Sequence, residues 1–238
     1  MQAAEAAGVS EAQRRKRILE GARAIFFREG VGAVTMEQVA ARLGISKKTL
    51  YKHFSNRDQL IEEAIEEKIR EVGGMVDAVV KDGSQTFPWR LGRIFSVVGQ
   101  QFAEIGELLM RDVYYRQPSL WDKIERFRRE HVFHAILKLF EDGARGGYVR
   151  TDIDSRLVPT LFVNAASAIL TPAQMFALPA PPAVVFETFI KILLGGILTA
   201  EGRAQFEMAK PPDGGPRAAR RVAPRAASRP APRREVDS

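Results

Sequence analysis

The sequence predicts an all-α protein: a short N-terminal three-helix unit followed by a larger helical body. Three observations carry this. No segment sustains the period-two alternation of a half-buried strand. Apolar residues recur at three- and four-residue spacing from Ile18 to Leu198. The periodic runs open on capping patterns and close on glycine or proline.

Ser10-Glu11-Ala12-Gln13 reads as a capping box at the start of the first helix. Its apolar face is Ile18, Ala22, Ile25 and Phe26, and Gly30 and Gly32 end it. Thr35-Met36-Glu37-Gln38 repeats the box, with Val34 and Val39 placed as a hydrophobic staple. This second helix is short, buries Met36, Val39, Ala40 and Leu43, and stops at Gly44. Ile45 and Ser46 open a third helix whose buried face can only be Leu50 and Phe54. Ser55-Asn56-Arg57-Asp58 caps a fourth, running past Leu60, Ala64, Ile65, Ile69 and Val72 until Gly73-Gly74 weakens it.

Further helices are expected near 88–116, 119–145, 155–176 and 183–206, with breaks at Gln117-Pro118, 143–154 and 179–182. The last has an apolar stripe of Phe186, Phe189, Ile190, Leu193, Leu194, Ile197 and Leu198. No charge falls between Leu157 and Phe186, but Pro159, Asn164, Pro172 and the 179–182 proline cluster interrupt the run. A buried helix explains it better than a membrane span. From Pro211 onward the chain is Pro, Gly, Ala and Arg without periodicity, which predicts a disordered basic tail over 209–238.

Charge is placed unevenly. Residues 1–60 hold 11 Lys and Arg against 6 Asp and Glu, residues 61–208 hold 17 against 20, and residues 209–238 hold 8 against 3. A polyanion should therefore meet the ends of the chain, not the body. The absence of cysteine excludes disulfides, thiolate zinc sites and a cysteine nucleophile. With no signal-type apolar core at the N-terminus, a cytoplasmic protein is the expectation.

The turn at Gly44-Ile45 joins two short helices in the geometry of a helix-turn-helix. With Leu50 and Phe54 buried, the second helix leaves Lys47, Lys48, Thr49, Tyr51, Lys52 and His53 at solvent or at the edge of the unit. Lysines suit phosphates, and short polar groups suit base edges in a major groove. Periodicity and charge alone would equally allow an ordinary solvated basic helix. The same holds for Arg14-Arg15-Lys16-Arg17, which could reach flanking phosphate or simply be a solvated helix end.

Residues 35–60, TMEQVAARLGISKKTLYKHFSNRDQL, closely resemble the DNA-binding segment of the TetR family of bacterial regulators. The matching elements are Thr35, Val39-Ala40, Leu43-Gly44-Ile45-Ser46, Thr49-Leu50-Tyr51, His53-Phe54, and Arg57-Asp58 followed by Leu60. The strong likeness covers residues 11 to about 72; beyond it only the helical pattern and the string GGILTAEGR look similar. The resemblance implies a phosphate contact for Thr35 and base-edge contacts for Lys47, Lys48 and Thr49. It implies contacts to phosphates or thymine methyls for Tyr51, Lys52 and His53, and a phosphate grip for Arg57. Lysine at both 47 and 48 departs from many relatives, so no operator sequence carries over.

The resemblance further implies an N-terminal DNA-binding domain over 11–72 and a helical ligand-binding and dimerisation domain over 73–208. It implies a homodimer built on the last two helices, a palindromic double-stranded operator, a small-molecule ligand, and no catalytic residues, cofactor or metal. Pocket candidates are Phe87, Trp89, Phe95, Phe102, Tyr114, Trp121, Phe133 and Phe162, with Gln101, Arg111, His131, His134 and Asn164 as polar handles. Core packing competes at each of them. The function expected is a sequence-specific transcriptional regulator, a repressor relieved by ligand; the alternative is a nonspecific or architectural DNA-binding protein. An enzyme is disfavoured. There is no Gly-rich phosphate loop, no serine elbow and no Glu-x-x-His, and Glu130, His131 and His134 make one metal half-site at best.

Overall fold

The computed structural model describes residues 2–105, 107–154, 156–169, 171–178 and 180–209; the basic tail lies outside them apart from its first residue. The described residues are helical almost throughout, with one isolated bridge between Val149 and Leu198.

Helix α1 spans Gln2–Glu29, so Ser10 lies inside the helix and does not cap it. The reason is propensity: the preceding residues are rich in Ala, Glu and Gln and extend the helix backwards. α2 spans Met36–Arg42, α3 Lys47–His53 and α4 Arg57–Lys81. Ile18, Ala22, Phe26, Val39, Leu50, Phe54, Leu60 and Ile61 form their shared core. That core is closed from outside the N-terminal unit. Leu109 and Val113 of α6 (Glu107–Arg116) and Leu120 of α7 (Pro118–Phe127) are buried in it.

α4 does not weaken at Gly73-Gly74 but runs on to Lys81. Val76, Val79 and Val80 bury in a second core, which holds the added turns in place. Gly73 serves a close crossing: a Cβ there would lie 3.2 Å from the Phe127 ring.

The second core gathers α5 (Phe87–Glu104), α8 (Phe133–Arg145), α9 (Leu157–Ile169) and α11 (Pro182–Ile197). α7 and α8 are joined by a π-helical turn, Arg128–Val132. Three expected helices are divided. The run expected at 88–116 breaks at Ile105, whose backbone is extended and whose side chain packs against both cores. The run at 155–176 breaks before Pro172, which opens the short α10 (Pro172–Ala177), as a residue without an N–H does at a first turn. The run at 183–206 breaks at Leu198, which turns extended to pair with Val149; Thr199 then caps α12 (Ala200–Met208) by accepting from the Gly202 amide at 3.0 Å.

The apolar stripe of α11 is mostly internal. Phe186, Ile190, Leu194, Ile197 and Leu198 are buried within the subunit. Ile192 on the same helix is 72% exposed, and on α9 Leu157 and Leu161 are exposed as well. Among the described residues no helix is long and apolar enough to cross a membrane.

Candidate DNA interface and effector cavity

The connection between α2 and α3 is fixed by the backbone. After Arg42, the Gly44 amide donates to the Ala41 carbonyl at 3.2 Å and the Ile45 amide to the Ala40 carbonyl at 3.0 Å. This is the paired pattern of a Schellman motif, and Gly44 takes the left-handed conformation it requires, with φ +65°. Thr35 caps α2 in a reciprocal box: its Oγ1 accepts from the Gln38 amide, and Gln38 Oε1 accepts from the Thr35 amide at 2.9 Å. Ser46 caps α3, accepting from the Thr49 amide at 3.1 Å, and its hydroxyl also meets that of Thr49 at 2.9 Å. Asn56 caps α4, accepting from the Gln59 amide at 2.9 Å.

With Leu50 and Phe54 fully buried, α3 presents Lys47, Lys48, Tyr51 and Lys52 to solvent, with Thr49 half-buried. His53 differs: its side chain is only 4% exposed, at the end of the helix, 3.9 Å from Glu11. Thr35 is exposed at the start of α2. Arg57 is half-buried, and its Nε donates to the Val34 carbonyl at 2.7 Å, which ties α4 to the residue before Thr35. Two of the lysines already face carboxylates. Lys47 Nζ lies 2.9 Å from Glu37 and Lys52 Nζ 2.7 Å from Glu11. Hydrogen bonds from Lys52 and Lys47 hold the Glu11 and Glu37 carboxyls below their ordinary range. In the basic run of α1, Arg15 is committed to the fold: it donates to both Glu63 oxygens at 2.8 and 2.6 Å and lies 4.5 Å above the Phe54 ring. Arg14, Lys16 and Arg17 stay exposed.

A second feature lies where the two cores meet. An apolar cavity of about 130 Å³ is bordered by α1, α4, α5, α6, α7, the π-turn and α9. Phe27, Ile69, Val72, Met110, Phe127 and Val163 make much of its wall, and Lys68, Gln101 and Arg128 are its polar members. Lys68 Nζ pairs with Glu104 at 2.7 Å and Glu71 at 3.4 Å. Arg128 pairs with Glu125. Burial lowers the Arg128 pKa, with Glu125 opposing the shift.

Of the aromatic and polar residues singled out in the sequence, Gln101 and Phe162 line this cavity. Phe87 and Phe95 are core; Tyr114, Arg111 and Asn164 are exposed; Trp89, Trp121 and Phe133 are half-buried against the cores. The side chain of Phe102 lies outside the described residues. His131 and His134 sit instead on an outer hollow with Asp77 and Glu130. There His131 Nε2 is 2.9 Å from Asp77, and the His134 ring meets the Glu130 carbonyl. Among the described residues no group of three or more His, Cys, Asp or Glu could hold a metal ion. Lys68 and Arg128 were invisible as wall residues. Lys68 stands within an apolar helical stripe beside Ile65, Ile69 and Val72, and such a stripe reads as core.

The cavity and the helix-turn-helix unit share a helix. On α6, Met110 and Val113 line the cavity, while between them the buried Asp112 carboxylate accepts from the Gly32 amide at 2.6 Å. Gly32 belongs to the loop leading into Thr35 and α2.

Residues 18–64 match the family model for bacterial regulatory proteins of the tetR family. The HTH-type transcriptional repressor KstR2 of Mycolicibacterium smegmatis is 23% identical over 196 residues, covering 80% of this chain and 94% of its own. The fold is similar to that of KstR2 of Mycobacterium tuberculosis, a ketosteroid transcriptional regulator, with TM-score 0.53 and 23% identity over 78% of this chain and 95% of that one. It is also similar to SmeT in its triclosan complex, with TM-score 0.58 and 18% identity over 78% of this chain and 92% of that one. The capped helix-turn-helix, the family match across its core and the shared all-helical fold give one conclusion: the chain is a DNA-binding transcriptional regulator whose helix-turn-helix unit is of the bacterial tetR type.

Proposed function

We propose that this regulator is a dimeric repressor that loses its operator when a small molecule fills the cavity between its two cores. The DNA-binding domain is the unit over 11–72, and the body over 73–208 carries ligand and dimer contacts. Lys47, Lys48 and Thr49 enter the major groove and read base edges. Thr35, Tyr51, Lys52, His53 and Arg57 hold phosphates or thymine methyls. His53 contributes through its ring edge only, since its side chain is nearly enclosed. Two copies related by a twofold axis would dock in successive major grooves of a palindrome, in the cytoplasm where the chromosome lies.

The observation that carries the release mechanism is α6. Met110 and Val113 line the cavity, and Asp112, between them in sequence, grips the loop before α2. A ligand that favours one placement of α6 thereby favours one placement of that loop. DNA affinity falls by the ratio of the ligand's affinities for the two placements. The relatives agree with this: one is a repressor, and another fold neighbour was captured with triclosan.

Selection of the full-length protein on random duplex DNA tests the reading. It should enrich an inverted repeat. Equal retention of all sequences would instead support an architectural DNA-binding protein.

A further inference from the structure

One residue of the cavity wall carries an unmet demand. Gln101 lies on its wall and is 9% exposed. Its Nε2 donates to the Val97 carbonyl one turn earlier, at 3.2 Å. Its Oε1 is buried and has no hydrogen-bond partner among the described residues. The two ends of the amide cannot be exchanged without setting two oxygens against each other at Val97, so the open atom is an acceptor. A buried acceptor left unpaired is costly, and a partner supplied by a ligand recovers that cost.

The wall's charges make no such demand. Lys68 faces Glu104 and Glu71, and Arg128 faces Glu125, so each cation already has its carboxylate inside the protein. An anionic ligand would have to displace those pairs, and it would bring lone pairs against Gln101 Oε1.

We propose that the effector is a neutral, apolar molecule carrying a hydroxyl or N–H that donates to Gln101 Oε1. The inference rests on the cavity being the effector site. Its size fits a ring-sized probe, since an apolar cavity of roughly this volume accepts benzene.

Three probes of like shape separate the chemistries: 4-ethylphenol, 4-ethyltoluene and 4-ethylbenzoate. Titration calorimetry on the full-length protein gives their affinities, and the same titrations are run on Gln101→Leu. The phenol should bind better than the benzoate. The ratio of phenol to toluene affinity should fall about tenfold in Gln101→Leu, the value of one buried hydrogen bond. A ratio unchanged by the substitution, a benzoate that binds tightest, or no binding by any probe overturns the proposal. The comparison of probes on the unaltered protein needs no variant to fold. Operator release is scored separately. A probe that binds with the expected dependence on Gln101 yet leaves the operator bound refutes the regulatory reading of the cavity while the chemistry stands. Release by probes that ignore Gln101 refutes this inference alone.

Discussion

Lys47, Lys48 and Lys52 carry the same charge on one helix but stand in different places. Lys47 and Lys48 open α3, next to its cap at Ser46; Lys52 lies a turn later, beside Glu11 of α1. A lysine on a guanine edge discriminates by about 1–3 kcal/mol at one base pair, whereas one on phosphate adds affinity without sequence information. Lys47→Ala or Lys48→Ala should flatten preference at a defined position in each half-site. Lys52→Ala should weaken binding to all sequences alike and reduce the salt slope by about one unit. Selection from random DNA checks both; a shifted consensus in the Lys52 variant alone would mean α3 is rotated otherwise in the groove. Glu11 supplies a second test. In free protein its carboxylate holds Lys52, and in the proposed docking this solvent-exposed, screened contact is exchanged for a phosphate. Glu11→Gln should raise affinity for specific and nonspecific DNA together, measured by mobility shift at fixed salt; unchanged affinity would show that Lys52 does not reach the backbone. The exposed lysines were legible in the sequence because Leu50 and Phe54 fix which face of a short helix is buried. The carboxylates that hold them were not, because Glu11 reaches Lys52 only through the packing of α1 on the unit.

At the scale of elements, the turn between α2 and α3 depends on Gly44. Nothing lies within 4 Å of a Cβ built there, so a side chain would meet no neighbour. The cost of Gly44→Ala is then conformational, about 1 kcal/mol for a left-handed residue, and thermal unfolding should show it as a modest fall in Tm. A loss several times larger would mean that the angle between α2 and α3 is itself strained. This turn and the caps at Thr35, Ser46 and Asn56 were readable because each is decided within a few residues of chain. What escaped reading is decided by distant partners. α4 passes Gly73 because Phe127 comes close on one side and Val76, Val79 and Val80 find a core beyond it. Leu198 leaves the helix to pair with Val149, and Ile105 does so while touching both cores. The cavity was half legible for the same reason. Gln101 and Phe162 announce themselves as a polar and an aromatic residue in apolar runs, but only the assembled helices show that Lys68 and Arg128 share their wall.

At the scale of the molecule, the palindrome proposed above requires a twofold partner, and exposed apolar residues on α9 and α11 offer one face for it. α9 and α11 pack together; Leu157 and Leu161 stand out from the first, and Ile192 from the second with Gly195 and Gly196 exposed beyond it. Large exposed apolar side chains on two adjoining helices suit an association site, and exposed glycines let a neighbouring helix come close. In a twofold interface the same patch occurs on both sides. In the proposed dimer a single Ile192→Glu places two carboxylates at this seam and removes two apolar side chains, each contributing about 1.5–3 kcal/mol when fully buried. Ile192 tests association better than its neighbour Leu194, which is 5% exposed, because a charge at Leu194 would be buried inside the subunit and would report on folding. The Ile192 variant should sediment as a folded monomer with an unchanged far-UV spectrum. Its affinity for the full palindrome should drop to that of a single half-site, because α3 is untouched while the link between two copies is gone. If the variant remains a dimer and binds the palindrome as before, the α9–α11 face is not the seam.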